Sequence, residues 1–175
     1  MLNNWKQHVS QYDFEILLDF VDKTQKGIQL DCKFICLVGE KNKELTQDIV
    51  NIIGENECKI IDTYPYKLVK DLTYESDEED EDSNYDDEGV PEYSYYINKK
   101  LLVFDNDIAL YKFGSYGPGV GVIKQVLGCD LMLYRTKGKL DLIECNSNII
   151  VNVNCTKKLF DDEGIKARAI VINLN

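Results

Sequence analysis

The sequence predicts an α/β fold, a parallel, layered sheet of about five strands flanked by helices. Apolar runs rich in Val, Ile, Leu and Phe are centred on or end at Val38, Asp62, Phe104, Val153 and Ile172. Continuous rather than alternating runs mark strands buried on both faces. The stretches between them are long enough for crossover connections. One segment, KFICLVGEKNKELTQDIVNIIG from Lys33 to Gly54, contains a strand, a sharp loop opening at Gly39 and a helix in direct succession.

The bulk composition suits a single domain with a real core, at 175 residues and 44% hydrophobic content. No apolar run approaches the roughly 20 residues that span a membrane, and MLNNWKQHVS lacks the layout of a secretory signal. Six cysteines (Cys32, Cys36, Cys58, Cys129, Cys145, Cys155) include no Cys-x-x-Cys pair, and His8 is the single histidine. A zinc site is therefore not expected, and the thiols read as reduced core residues of an intracellular protein. The net charge of −11 is local in origin. Twelve acidic residues and no Lys or Arg lie between Asp71 and Glu92, and without them 19 acidic face 20 basic residues. The remainder of the chain is thus compatible with a nucleic-acid partner.

In chain order, residues 1–30 are predicted helical. Trp5, Val9, Tyr12, Phe14, Leu17, Leu18 and Phe20 form the apolar stripe and Gly27 marks the end. Phe34 to Val38 is a buried strand, and Leu45, Ile49, Ile52 and Ile53 repeat at helical spacing behind it. A second strand covers Lys59 to Asp62, and Tyr64, Pro65 and Tyr66 turn the chain out of it. Residues 71–96 are dense in like charge and poor in aliphatic residues, which predicts a solvated, disordered insert. It lacks the ligand spacing of a calcium loop, and Ser76, followed by Asp77, Glu78 and Glu79, would suit an acid-directed kinase.

Leu101 to Phe104 reads as a buried parallel strand that delivers Asp105 and Asp107 to the carboxyl edge of the sheet. The glycine-rich stretch from Tyr111 to Gly121 reads as a turned connection. Residues 123–154 then read as a short helix, a turn at Gly128, a hairpin with Arg135, Lys137 and Lys139 around Gly138, and a strand from Asn148 to Val153 followed by Asn154. The acidic turn FDDEG precedes a closing strand entered through Arg168.

A strand, loop and helix start in this order form the frame on which a P-loop cradles phosphates. The loop GEKNKELT fits the pattern GxxxxGK(S/T) only at Gly39 and Thr46: Glu44 stands at the second glycine and Leu45 at the lysine. The order of GEKNKELT, LLVFDND, LGCDLMLYR, NIIVNVN and KARAIVINL resembles the superfamily-three helicases of viruses and plasmids, particularly the primase-helicases of large DNA viruses, from about Phe14 to Leu174. Arg135 and Arg168, the two arginines among twenty basic residues, both fall where that pattern asks for one.

The resemblance implies a P-loop NTPase (AAA+-like) domain with a degenerate loop, taking ATP and Mg²⁺ if any nucleotide binding remains and no cofactor otherwise. Gly39 and Thr46 would be the survivors of the phosphate loop, with Lys41 or Lys43 as a displaced lysine. Thr46 and Asp105 would hold the metal, and Asp107 would stand in for a catalytic acid whose usual place is taken by Asn106. Asn154 would orient the attacking water, Arg168 would reach a neighbouring subunit's nucleotide in a homo- or hetero-oligomeric ring, and Arg135, Lys137 and Lys139 would contact DNA. The location implied is the host-cell cytoplasm, at a site of viral replication, or the nucleus.

Phosphoryl transfer is catalysed by positioning and charge. Leu45 cannot neutralise phosphates, a loss on the order of a hundredfold or more, and Glu44 adds charge of the wrong sign. The leading expectation is a pseudo-ATPase with a structural or regulatory role in viral DNA replication. One alternative is an active helicase with an unorthodox loop. Another is a non-enzymatic interaction module whose acidic insert recruits a basic protein. No membrane partner is expected.

Overall fold

A computed structural model describes residues 2–61, 99–105, 131–136, 139–144, 147–154 and 163–174, with side chains left aside for residues 61, 131–136, 139–144 and 165. The expectations for the acidic insert, the glycine-rich stretch, the short helix after Val122, Asn106, Asp107 and Lys137 lie outside the described residues.

The chain opens with a 3-10 turn, Leu2–Gln7, followed by α1, Gln11–Gln25. The 3-10 turn stops at Gln7, and Ser10 caps α1, because its hydroxyl accepts from the Asp13 backbone N–H at 3.1 Å and satisfies an orphan donor of the first turn. A single helical run over residues 1–30 is therefore corrected to two pieces. The apolar stripe is narrower than expected. Phe14, Leu17, Phe20 and Val21 are buried, but Tyr12 is 72% exposed and Leu18 43%. Those two positions fall on the solvent side of a 3.6-residue repeat. Gly27 closes α1 in the left-handed region at φ +69°, as expected of a residue just past a helix end.

Five strands form one sheet in the order β2-β3-β6-β1-β7, and each neighbouring pair is parallel. They are β1 (Phe34–Val38), β2 (Cys58–Ile61), β3 (Leu101–Phe104), β6 (Asn148–Val153) and β7 (Ala169–Asn173). Strand β2 begins one residue earlier than its apolar pattern suggested. The remaining strands, β4 (Leu131–Thr136) and β5 (Lys139–Glu144), pair antiparallel as a separate hairpin, with Thr136 opposite Lys139.

Helix α2 (Asn42–Ile53) follows β1, and the short α3 (Glu163–Arg168) leads into β7. Ile35, Leu37, Leu101, Val103, Ile150 and Ile172 of the sheet pack with Phe14, Leu17, Leu45, Ile49 and Val50 of α1 and α2. The other phase of the strands, including Phe34, Cys36, Leu102, Phe104, Ile149 and Val151, is closed to solvent as well. Burial on both faces explains why the strands read as continuous apolar runs. No helix among the described residues is long and apolar enough to cross a membrane.

The order places β1 beside β6. From β1 the chain moves across β6 and β3 to reach β2, whereas from β6 it moves across β1 to reach β7. Two adjacent strands whose connections leave in opposite directions create a crevice at their carboxyl ends, the usual ligand position of an open α/β sheet.

Candidate functional site

Four side chains form one polar chain at that carboxyl edge. The Thr46 hydroxyl donates to Asn152 Oδ1 at 2.9 Å, and Asn152 Nδ2 donates to Asp105 Oδ1, also at 2.9 Å. The other oxygen of Asp105 pairs with Lys43 Nζ at 3.1 Å. Register explains the meeting. Phe104 pairs with Val151, so Asp105 stands level with Asn152, and Leu37 pairs with Asn152, so the amide shares the face on which α2 lies. Thr46 and Asn152 are each only 3% exposed. Buried polar groups of this kind need partners, and here each supplies the other's.

The connection from β1 to α2 is three residues, 39–41. Lys41 is the N-cap and makes no side-chain capping bond. The Asn42 side chain instead donates to the Val153 carbonyl at 3.1 Å, and the Gly39 N–H bonds to the same oxygen at 3.2 Å. Lys43, Glu44, Leu45 and Thr46 therefore lie within the helix. Leu45, at the position of the P-loop lysine, is fully buried in the core between α2 and the sheet.

Gly39 has φ +129°, and a Cβ there would lie 2.7 Å from the Leu174 carbonyl oxygen. Its missing side chain makes room for Leu174, the residue after β7, whose N–H bonds Val38 O at 2.8 Å. A phosphate cradle needs a loop whose successive N–H groups converge on an anion. These residues do not fit ATP: the loop is wound into helix, the glycine contact is already taken, and no lysine occupies the lysine position. Nor are Thr46 and Asp105 open together to Mg²⁺, since Asn152 bridges them and Lys43 occupies the free oxygen of Asp105.

Of the residues singled out by sequence, Thr46, Asp105 and Lys43 are brought together. Lys41 is turned the other way, with Nζ 3.3 Å from His8 Nδ1. His8 sits beside Trp5, whose indole donates to Asp48 at 2.8 Å, so the N-terminal turn clasps the start of α2. Asn154 is exposed one residue beyond β6. Arg168 stands before β7, and Ala169 pairs with Phe34, the first residue of β1, so it lies at the amino edge of the sheet. Along the strands it is four residues, about 13 Å, from the level of Asp105, and β7 lies three strands across the sheet from β3. Arg135 lies in β4 and Lys139 opens β5, both at the closed end of the hairpin.

Asn152 and Asn42 were not anticipated. The signal was present for Asn152, an amide inside an otherwise apolar buried strand, which must find partners. Among the described residues no group of three His, Cys, Asp or Glu side chains could hold a metal ion. Two thiols, Cys36 and Cys58, are buried, and burial pushes them up to about 12 and about 11 respectively.

Comparison with protein-family models returns no match, and no curated protein matches either. Solved structures do share the fold. An A-form apo structure of the NrS-1 C-terminal region (305-718) aligns with a TM-score of 0.57 at 15% identity, covering 99% of this chain and 37% of that one. A further apo structure of the same region gives 0.54 at 16% identity, covering 99% and 38%. The chain thus spans little more than a third of the length of the region it is similar to.

Proposed function

We propose that this chain is a helicase-like α/β domain whose nucleotide site has been closed from within, a pseudo-ATPase serving a structural or regulatory role in viral DNA replication. The likeness to the NrS-1 C-terminal region supports the fold, and the order of GEKNKELT, LLVFDND, LGCDLMLYR, NIIVNVN and KARAIVINL supports the helicase-like part. One observation carries the rest. Helix α2 begins three residues after β1 and buries Leu45 where a phosphate-binding lysine would stand. Burial of a leucine contributes about 2 kcal/mol to folding, so this winding belongs to the core and is not easily undone by a ligand.

In this reading the edge needs neither ATP nor Mg²⁺. The hairpin with Arg135, Lys137 and Lys139 is the part suited to touch DNA, through phosphate contacts that position rather than specify. Arg168, at the opposite edge of the sheet from Asp105, could serve a nucleotide only in another subunit of a ring. The test is thermal unfolding with and without ATP and Mg²⁺, alongside a hydrolysis assay. We expect no nucleotide-dependent rise in the melting point and no turnover. Because binding to the folded state must raise the melting point, a clear rise, or hydrolysis abolished by Asp105→Ala, would overturn the reading in favour of an active ATPase.

A further inference from the structure

We infer that the ammonium of Lys43 is the resident cation of the carboxyl edge, and that it keeps divalent metal ions off Asp105. The inference builds on the proposed function, because it names what closes the site. It also concerns a metal alone, and so can be tested without nucleotide.

Both oxygens of Asp105 are engaged, one by Asn152 Nδ2 and one by Lys43 Nζ. The two partners differ in kind. Asn152 is buried, and its own oxygen is occupied by the Thr46 hydroxyl, so that side of the carboxylate is fixed by the core. The Lys43 side chain is 69% exposed while that of Asp105 is 21% exposed. A carboxylate held in place from one side and covered from the other by a flexible, solvated lysine is a site with an exchangeable cation. An ion pair this exposed contributes little to folding, so its main effect is electrostatic: a unit positive charge held where a metal ion would sit.

The helix start makes this possible. Because α2 begins at Asn42, Lys43 falls in its first turn at the edge of the sheet, within reach of the end of β3. The neighbouring Lys41 is drawn to His8 and does not compete for the carboxylate. The chain therefore supplies from its own helix the charge that a metal-dependent site would take from solution. A lone carboxylate with amide and hydroxyl neighbours is a weak site for a hard divalent cation, which prefers several oxygens, and one resident ammonium suffices to exclude it.

The experiment uses Mn²⁺ as the probe, followed by water-proton relaxation on the full chain. The acidic residues from Asp71 to Glu92 will bind some Mn²⁺, so each protein is compared with its partner carrying Asp105→Asn. Wild type and D105N should titrate identically. K43Q should bind Mn²⁺ about tenfold more tightly than wild type at one added site, as removal of a like charge at contact distance predicts. K43Q/D105N should lose that gain, and K43R should behave as wild type. Lys43 is exposed on a helix, where Gln has a similar propensity, and an unchanged melting point will confirm that K43Q folds. Weaker Mn²⁺ binding by D105N than by wild type would overturn the inference, because the metal would already reach Asp105 past the lysine. An unchanged Mn²⁺ titration of K43Q would also overturn it, because lysine would then exclude nothing.

Discussion

Strand β6 carries two buried asparagines on one face, and they have opposite meanings. Asn148 opens the strand at the amino edge; Asn152 lies near its carboxyl end; each is 3% exposed. Among the described residues the Asn148 side chain bonds to backbone, accepting from the Leu30 N–H at 2.8 Å and donating to the Ile28 carbonyl at 2.8 Å. It stitches the loop after α1 to the sheet. The Asn152 side chain bonds, among the described residues, to the side chains of Thr46 and Asp105, and through the latter reaches a solvent-facing charge. A buried amide is therefore not by itself the mark of a site. What distinguishes the two is the partner: backbone groups must be satisfied wherever they are buried, whereas side chains of three residue types converging at a strand end have a chemistry of their own.

The largest expected effect tests whether the carboxyl edge can be turned back into a phosphate site. Leu45→Lys restores the P-loop lysine in sequence but places an ammonium in the core. We expect a loss of about 3–5 kcal/mol, seen as a fall in the chemical-denaturation midpoint, with no gain in ATP affinity. A stable variant that binds ATP would show that α2 can unwind at its start.

The next effect separates the two asparagines directly. Asn148→Ala strands an N–H and a carbonyl and should cost about 2–3 kcal/mol. Asn152→Ala should cost less, about 1–2 kcal/mol, because Asp105 keeps Lys43 and some exposure to water. Equilibrium unfolding of both variants checks the order, and a larger loss at Asn152 would make it the main stitch.

The smallest effect concerns the second sheet face. The Cys36 thiol is pushed up to about 12 from an ordinary value near 9 by burial. A group raised on folding contributes stability that is complete below its unfolded value and is lost as pH rises towards the folded one. Stability should fall between pH 9 and 12, by about 1 kcal/mol at pH 10, with a smaller window for Cys58, raised to about 11 by burial with Glu57 adding to it. Cys36→Ala should flatten that alkaline limb in pH-dependent thermal unfolding, at the cost of a small cavity. An unaltered limb would assign the alkaline loss to other groups.

Much of the fold was legible in the residues. LLVF is a continuous apolar run, and NIIVNV is one interrupted only by its two asparagines, because their strands are covered on both faces, and the boundaries of β3 and β6 followed directly. The end of α1 was legible at Gly27 and its start was not. Ser10 was a cap signal, but apolar residues on both sides at near-helical spacing masked it. At the site, Asp105 was legible because an acid following a buried parallel strand must emerge at the carboxyl edge. Asn152 stands out in the sequence only as an amide inside an apolar strand, because its partners come from α2 and from the end of β3, which no local pattern brings together.

By itself, the sequence determined the parallel α/β class, the strand runs, the antiparallel pair β4 and β5, and the presence of leucine rather than lysine at position 45 of GEKNKELT. Period, burial and composition are local properties, and they survive whatever the chain does elsewhere. Only the tertiary structure decided that GEKNKELT is mostly helix, that Gly39 makes room for Leu174, and that Lys43 rather than Lys41 meets Asp105. Those outcomes depend on which strands lie side by side. The register that sets Asp105 level with Asn152 comes from hydrogen bonds between β3 and β6, more than forty residues apart in the chain, and no local pattern encodes it.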